Sequence, residues 1–349
     1  MPTLDSLYEA HIRVLRARTD AALSASGFDS LAIHSGGTWM QFLDDQPYPF
    51  KVNPHFKSWA PLLDAPDCWI LYVPGNAIRL LFLQPQDYWH KPPPIPSEYW
   101  AAHFAIDVMR DAAEARSYIS GLPNCALIGE WQAEYTEWGF AEGNPKTLLD
   151  QLHYPRAIKT PYELECMRLA SERGARGHKA AESAFRAGAS EYEIHIEYLR
   201  ATGHTDTTLP YPNIVALNEN SAVLHYQHQE RRVPQQQRSF LIDAGAEVAG
   251  YASDITRTYS AANDDFQALI NALDGVQQQL CREVRPGTDY ASIHLNAHRG
   301  IAAVLRDSDL IRATAEDAVA SGLSGVFFPH GIGHLLGLQV HDVAGLAIT

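Results

Sequence analysis

Ser239-Phe-Leu-Ile-Asp-Ala-Gly-Ala-Glu-Val-Ala-Gly-Tyr-Ala-Ser-Asp-Ile-Thr-Arg-Thr258 is the stretch on which the reading of this chain turns. Asp243 ends one apolar run and Asp254 begins the next. Phe240 and Ile242 alternate with Leu241, and Ile255 follows, so both arms read as half-buried strands. Gly250 lies near the turn between them. A hairpin folded about Val248–Ala249 sets Asp243 directly opposite Asp254, with Cβ atoms roughly 5 Å apart. Two carboxylates that close, flanked by apolar side chains, repel each other and lose hydration. A shared proton relieves the repulsion, and one or two divalent cations relieve it better. The hairpin is therefore a candidate oxygen-rich metal floor. A wet face, or side chains that accept from turn amides, would need no metal. Two aspartates alone are a weak signature, so the rest of the chain has to decide.

Histidines bear on that decision. Phe328-Pro-His-Gly-Ile-Gly-His-Leu-Leu-Gly-Leu-Gln-Val-His-Asp342 holds His330, His334 and His341. Pro329 and the glycines preclude a long regular helix and let backbone come close to something. A nitrogen ligand beside carboxylates suits Mn, Co or Zn better than Ca or Mg. One of these histidines with Asp243 and Asp254 would begin a two-metal site, leaving the others to bind substrate or stabilise charge. His225, in Ala222-Val-Leu-His-Tyr226, reads as part of an apolar strand run. For a lone strand histidine, a satisfied core residue is the better reading.

The bulk properties narrow the function classes. At 349 residues the chain suggests two domains. A net charge of −14, with only the isolated Arg231-Arg232 pair as a basic run, argues against a nucleic-acid partner. Cys68, Cys125, Cys166 and Cys281 show no Cys-x-x-Cys spacing, so neither a thiolate zinc site nor a disulfide framework is expected. No charged-then-apolar leader and no membrane-length apolar run is present, which points to a cytoplasmic protein without a membrane partner.

In chain order, Leu4, Leu7, Tyr8, His11, Ile12 and Leu15 mark a helix stripe. Leu31–Ile33, Cys68–Val73, Ile78–Leu83 and Cys125–Ile128 look like strands, and residues 112–120 like a helix. Residues 1–157 thus form a mixed α/β domain, holding two proline-rich loops at 44–54 and 88–94. Residues 158–349 form the second domain. Thr160-Pro-Tyr-Glu163 and Ser190-Glu-Tyr-Glu193 are capping boxes that open helices ending at Gly188 and Gly203. Two more helices follow the hairpin, one capped by Asn263 and one from Tyr290 to Leu305. The order suggests two similar halves, each a helix pair followed by strands, with one sheet covered by helices.

Taken together, these residues resemble the pita-bread metallopeptidases, the fold group of prolidase, aminopeptidase P and methionine aminopeptidase. The likeness rests on Asp243-x10-Asp254, His330-Gly-Ile-Gly-His334, Val340-His-Asp342 and the stretch 213–226. It is strongest to bacterial Xaa-Pro dipeptidases and includes the first domain, which looks like the creatinase-like N-terminal domain of that family. The resemblance implies that Asp243 chelates one metal, Asp254 bridges two, and His334 binds the second. It implies two divalent ions per subunit, Mn first, with Co or Zn as alternatives. His225, His330 and His341 would act on the substrate, with His341 near the scissile carbonyl. Tyr211, Leu224, Val340 and Tyr290 would line the pocket. Asp45 would reach the partner subunit's site in a homodimer, making the first domain both dimer contact and lid.

The implied reaction is hydrolysis of Xaa-Pro dipeptides by a hydroxide bridging two metals. Proline's tertiary amide lacks an N–H, so a pocket that requires none accepts it. Weak attack on organophosphorus esters is a secondary expectation. The family also has two glutamate ligands and a substrate-binding arginine C-terminal to the Val-His-Asp segment. Residues 343–349 offer none of these, so the pita-bread domain is expected to be incomplete and this chain by itself inactive or nearly so. The alternatives are a non-catalytic pita-bread module that binds peptides or proteins, and an aminopeptidase acting on longer Xaa-Pro peptides.

Overall fold

The computed structural model describes residues 3–344. The first half begins with α1 (Leu4–Ser26), capped by Thr3 and stopped by Gly27 at φ 77°. It continues through β1 (Ser30–His34), α2 (Pro54–Trp59), β2 (Trp69–Tyr72), β3 (Arg79–Leu83), β4 (Ala105–Met109), α3 (Ala115–Ile119), β5 (Cys125–Ile128), β6 (Glu142–Gly143) and α4 (Lys146–His153). The strands form one mixed sheet in the order β4-β3-β2-β1-β5-β6. β1, β2 and β5 are buried along their whole length. That explains why they read as continuous apolar runs rather than alternating ones: both sheet faces are covered. Tyr8, Ile12 and Leu23 of α1 pack on one face with Phe56 and Trp59. Trp69, Tyr135 and Trp138 pack on the other.

The second half opens with α5 (Pro161–Arg186) and α6 (Glu191–Thr202). Both start on reciprocal capping boxes: Thr160 and Ser190 accept from the amides of Glu163 and Glu193, whose carboxylates accept from the two cap amides. Gly203 ends α6 at φ 66°. The two helices pack so closely that a Cβ on Gly177 would lie 2.5 Å from the Tyr198 ring. They cover a three-stranded antiparallel sheet, order β11-β8-β7, made of β7 (Ile214–Leu217), β8 (Ser239–Asp243) and β11 (Thr256–Ser260). The short ribbon β9 (Glu247–Val248) and β10 (Tyr251–Ala252) lies between β8 and β11. Next come α7 (Asp265–Glu283), α8 (Tyr290–Asp307), α9 (Ala315–Ala320) and α10 (Leu323–Phe327). The core is continuous across the halves, since Tyr162, Cys166, Tyr251 and Leu338 join the cluster built on α1.

Four expectations change. The hairpin turns at Ala249–Gly250, both at positive φ (51° and 86°), not at Val248–Ala249. Asp243 therefore pairs with Thr256 rather than Asp254. The slip is two residues, and a two-residue slip keeps side chains on the same face. Helix α7 is capped by Asp264, whose carboxylate accepts from Gln267, one residue later than expected. His225 is not in a strand: residues 218–222 form a 3-10 turn and His225 sits exposed in the turn after it. The second helix pair is not followed by strands among the described residues; 328–344 is irregular chain.

Candidate metal centre

Asp243 at the end of β8 and Asp254 just before β11 converge on one atom. The Tyr211 hydroxyl lies 2.8 Å from Asp243 Oδ1 and 2.9 Å from Asp254 Oδ1. A phenol has one proton, so it can satisfy only one carboxylate fully at a time. Burial raises the pKa of Asp243, the bond from Tyr211 opposes that shift, and the negative charge of Asp254 adds to it. The tyrosine hydroxyl is itself pushed well up, by burial first and then by the two carboxylates. Among the described residues, neither aspartate has an ion pair with lysine or arginine.

Local backbone explains how Tyr211 gets there. A Cβ on Gly245 would meet Ser253 O at 2.2 Å and the Tyr211 ring at 2.6 Å. Only glycine allows strand, serine carbonyl and tyrosine ring to approach this closely. The register is held by Ser253, whose amide donates to Ala246 O at 2.8 Å while its Oγ accepts from Ala246 N at 3.0 Å.

His334 is brought to this pair. Its Nε2 is 3.2 Å from Asp254 Oδ2, and its Nδ1 is 3.0 Å from Leu335 O. A carbonyl only accepts, so Nδ1 carries the proton. Nε2 is therefore the nitrogen that faces the carboxylate oxygen, and a proton or a metal cation there makes the contact attractive. Two carboxylates and an imidazole that all lack a positive partner suit a borderline divalent ion in donor chemistry. Among the described residues, however, no three His, Cys, Asp or Glu side chains stand close enough to enclose one.

The remaining candidates are placed as follows. The His341 ring packs against His334 with centroids 4.2 Å apart. His330 packs on Phe328 at 4.5 Å and has no hydrogen bond or ion pair to either aspartate. The Tyr290 hydroxyl donates to Gly333 O at 2.6 Å, bracing the loop that carries the histidines. Val340 lines a groove of about 1570 Å³ between the halves, with Lys51, Arg173 and His204. Leu224 is 64% exposed, beside His225. Asp45 lies on an exposed loop of the first half and accepts from Gln46 at 3.2 Å.

Sequence reasoning missed two supports. The Asp342 side chain is 1% exposed and is held by Arg156 and, at 2.7 Å, by Lys159. This clamps the histidine loop to the segment between α4 and α5. Gly337 permits it, since a Cβ there would lie 2.4 Å from Asp342 Oδ2. Buried Glu191 accepts from the amides of Leu217 and Glu230, from Asn220 and from the Tyr226 hydroxyl, fixing the segment that carries Leu224 and His225. In the sequence this glutamate reads only as a helix-opening residue. Four polar groups drawn to one acidic side chain leave no signal in sequence.

Comparison with known proteins gives the family and the fold. A family described as "Xaa-Pro dipeptidase, N-terminal domain" matches residues 6–154, and "Metallopeptidase family M24" matches residues 165–348. The chain belongs to the Xaa-Pro dipeptidase group of metallopeptidase family M24. Within that group, the Xaa-Pro dipeptidase of Xanthomonas axonopodis pv. citri is 49% identical over 350 residues, covering 100% of this chain and 79% of the relative. That of Stenotrophomonas maltophilia is 49% identical over 346 residues, covering 99% and 78%. Among solved structures, Pseudomonas aeruginosa aminopeptidase PepP aligns with TM-score 0.77 at 21% identity, covering 96% of this chain and 81% of that one. Zn-substituted E. coli aminopeptidase P in complex with product aligns with TM-score 0.74 at 21% identity, covering 94% and 81%. These two likenesses establish the pita-bread fold. Among the described residues no helix is long and apolar enough to cross a membrane.

Proposed function

We propose that this metallopeptidase hydrolyses Xaa-Pro dipeptides, with Asp243, Asp254 and His334 holding divalent metal, Mn foremost. The observation that carries the reading is a single Tyr211 hydroxyl shared by two half-buried carboxylates, with an imidazole nitrogen facing one of them. The ions would supply Lewis acidity and a water of lowered pKa. The protein's own part is to hold the two carboxylates together, and Tyr211, which reaches both over Gly245, does that. His341, next to His334, is assigned the scissile carbonyl, where a donor stabilises developing negative charge. His225 and His330 are assigned to substrate charge. Tyr211, Leu224, Val340 and Tyr290 are assigned to the pocket wall.

Residues 1–157 are assigned the role of lid and dimer contact, and 158–349 that of the catalytic domain. Asp45 of one protomer would reach the other's site in a cytoplasmic homodimer.

The deciding experiment combines metal analysis with peptide turnover. Bound Mn or Co approaching two per chain supports the assignment. Asp243→Ala should lower kcat/KM on Ala-Pro and Leu-Pro by more than about 100-fold, beyond what losing a group that merely supports a ligand costs. Undiminished turnover in a metal-free Asp243→Ala protein refutes the reading. A second reading, a non-catalytic peptide-binding module, is favoured by the lack of an enclosed three-ligand cluster among the described residues. It predicts peptide binding with neither metal nor cleavage. Comparing Leu-Pro with Leu-Pro-Pro distinguishes dipeptidase from aminopeptidase.

A further inference from the structure

Helix α8 carries His294 and His298, four residues apart and therefore on one face. Their Nε2 atoms are 3.2 Å apart and the ring planes cross at 88°. This is the spacing at which two histidines of one helix bind zinc. Metal–nitrogen bonds of about 2.0–2.1 Å at a tetrahedral angle place two nitrogens about 3.3 Å apart. The pair is thus already at the bite distance of a chelate.

The surroundings support this. His298 Nδ1 is 3.0 Å from the Oγ of buried Ser324, an outer contact of the type that orients a ligating imidazole. Phe328 walls the pair, at 5.2 Å from His298 and 6.0 Å from His294. Burial, and then the neighbouring His294, lower the pKa of His298, which favours the neutral imidazole that a metal needs. Without metal, one Nε2–H spans the pair, and a cation would replace that single bond with two coordinate bonds. The buried His294 Nδ1 has no partner, so the site is weaker than one whose ligands are both supported.

The geometry points to a second transition-metal site, separate from the aspartate pair, in which His294 and His298 chelate one borderline divalent cation such as Zn, Ni or Cu through Nε2, with water completing the shell. Neither histidine has a part in the proposed hydrolysis.

Equilibrium dialysis with Ni²⁺ tests it on the 349-residue chain and on His294→Gln, His298→Gln and the double variant. One bound ion should weaken at least tenfold in each single variant, and the double variant should lose no more than either single one. Ser324→Ala should weaken the same ion by about tenfold, and Asp243→Asn should leave it unchanged. Electron paramagnetic resonance of one added Cu²⁺ on the unaltered chain should show two equivalent imidazole nitrogens, a readout that does not depend on any variant folding. Unchanged Ni²⁺ affinity in either single variant, strictly additive losses, loss of the ion in Asp243→Asn, or a copper spectrum with one nitrogen or none overturns the proposal.

Discussion

Asp342 and the pair Asp243/Asp254 are the same residue type in opposite circumstances. Asp342 is fully enclosed and lies between Arg156 and Lys159, cations that the chain itself supplies. Asp243 and Asp254 are partly enclosed and share one neutral hydroxyl. A buried charge that has its counter-charge belongs to the architecture. Two like charges held together without one are an expense that folding alone does not explain, and such sites are where function concentrates. The first aspartate holds the histidine loop in place. In the proposed function, the other two are the ones that would take a cation from outside.

Breaking the internal pair should have the largest effect on stability. Asp342→Asn leaves Arg156 and Lys159 facing each other and is expected to cost about 3–5 kcal/mol in denaturant unfolding. A loss below about 1 kcal/mol would mean that this ion pair does not hold the loop. Gly245→Ala comes next: the new methyl overlaps Ser253 O and the Tyr211 ring, and overpacking of this kind costs about 1–3 kcal/mol. It should also lower Mn affinity, because the tyrosine and its strand must move apart; unchanged stability and metal binding would show that the close approach is dispensable. The smallest effect sharpens the comparison most. Tyr211→Phe should destabilise the metal-free chain by about 1–2 kcal/mol by leaving the carboxylates one donor short. Saturating Mn should restore most of that loss in the Phe variant, but nothing in Asp342→Asn. Equal responses of the two variants to Mn would erase the distinction.

Much of the site was legible in the order of residues. The parity of the hairpin put Asp243 and Asp254 on one face even though the register was misjudged by two. That error came from placing the turn at Val248–Ala249. Ala249 at φ 51° is a conformation few would assign to alanine, and Gly250 beside it carries the turn. His225 was misread because Ala222-Val-Leu is apolar enough to look like strand. In the structure Glu191, distant in sequence, gathers the segment's polar groups and turns it into a surface loop.

The sequence by itself determined what depends on neighbours along the chain. Helix caps at Thr160 and Ser190, four strands of the first sheet and the shared face of the two aspartates follow from local chemistry and spacing, and the family from the likeness of its motifs. Tertiary structure alone decided which charges are answered. Whether Asp342 meets Arg156 and Lys159, or Tyr211 reaches over Gly245 to both carboxylates, depends on contacts between residues tens to nearly two hundred positions apart. Electrostatic energy falls with distance through space, and separation along the chain says little about it.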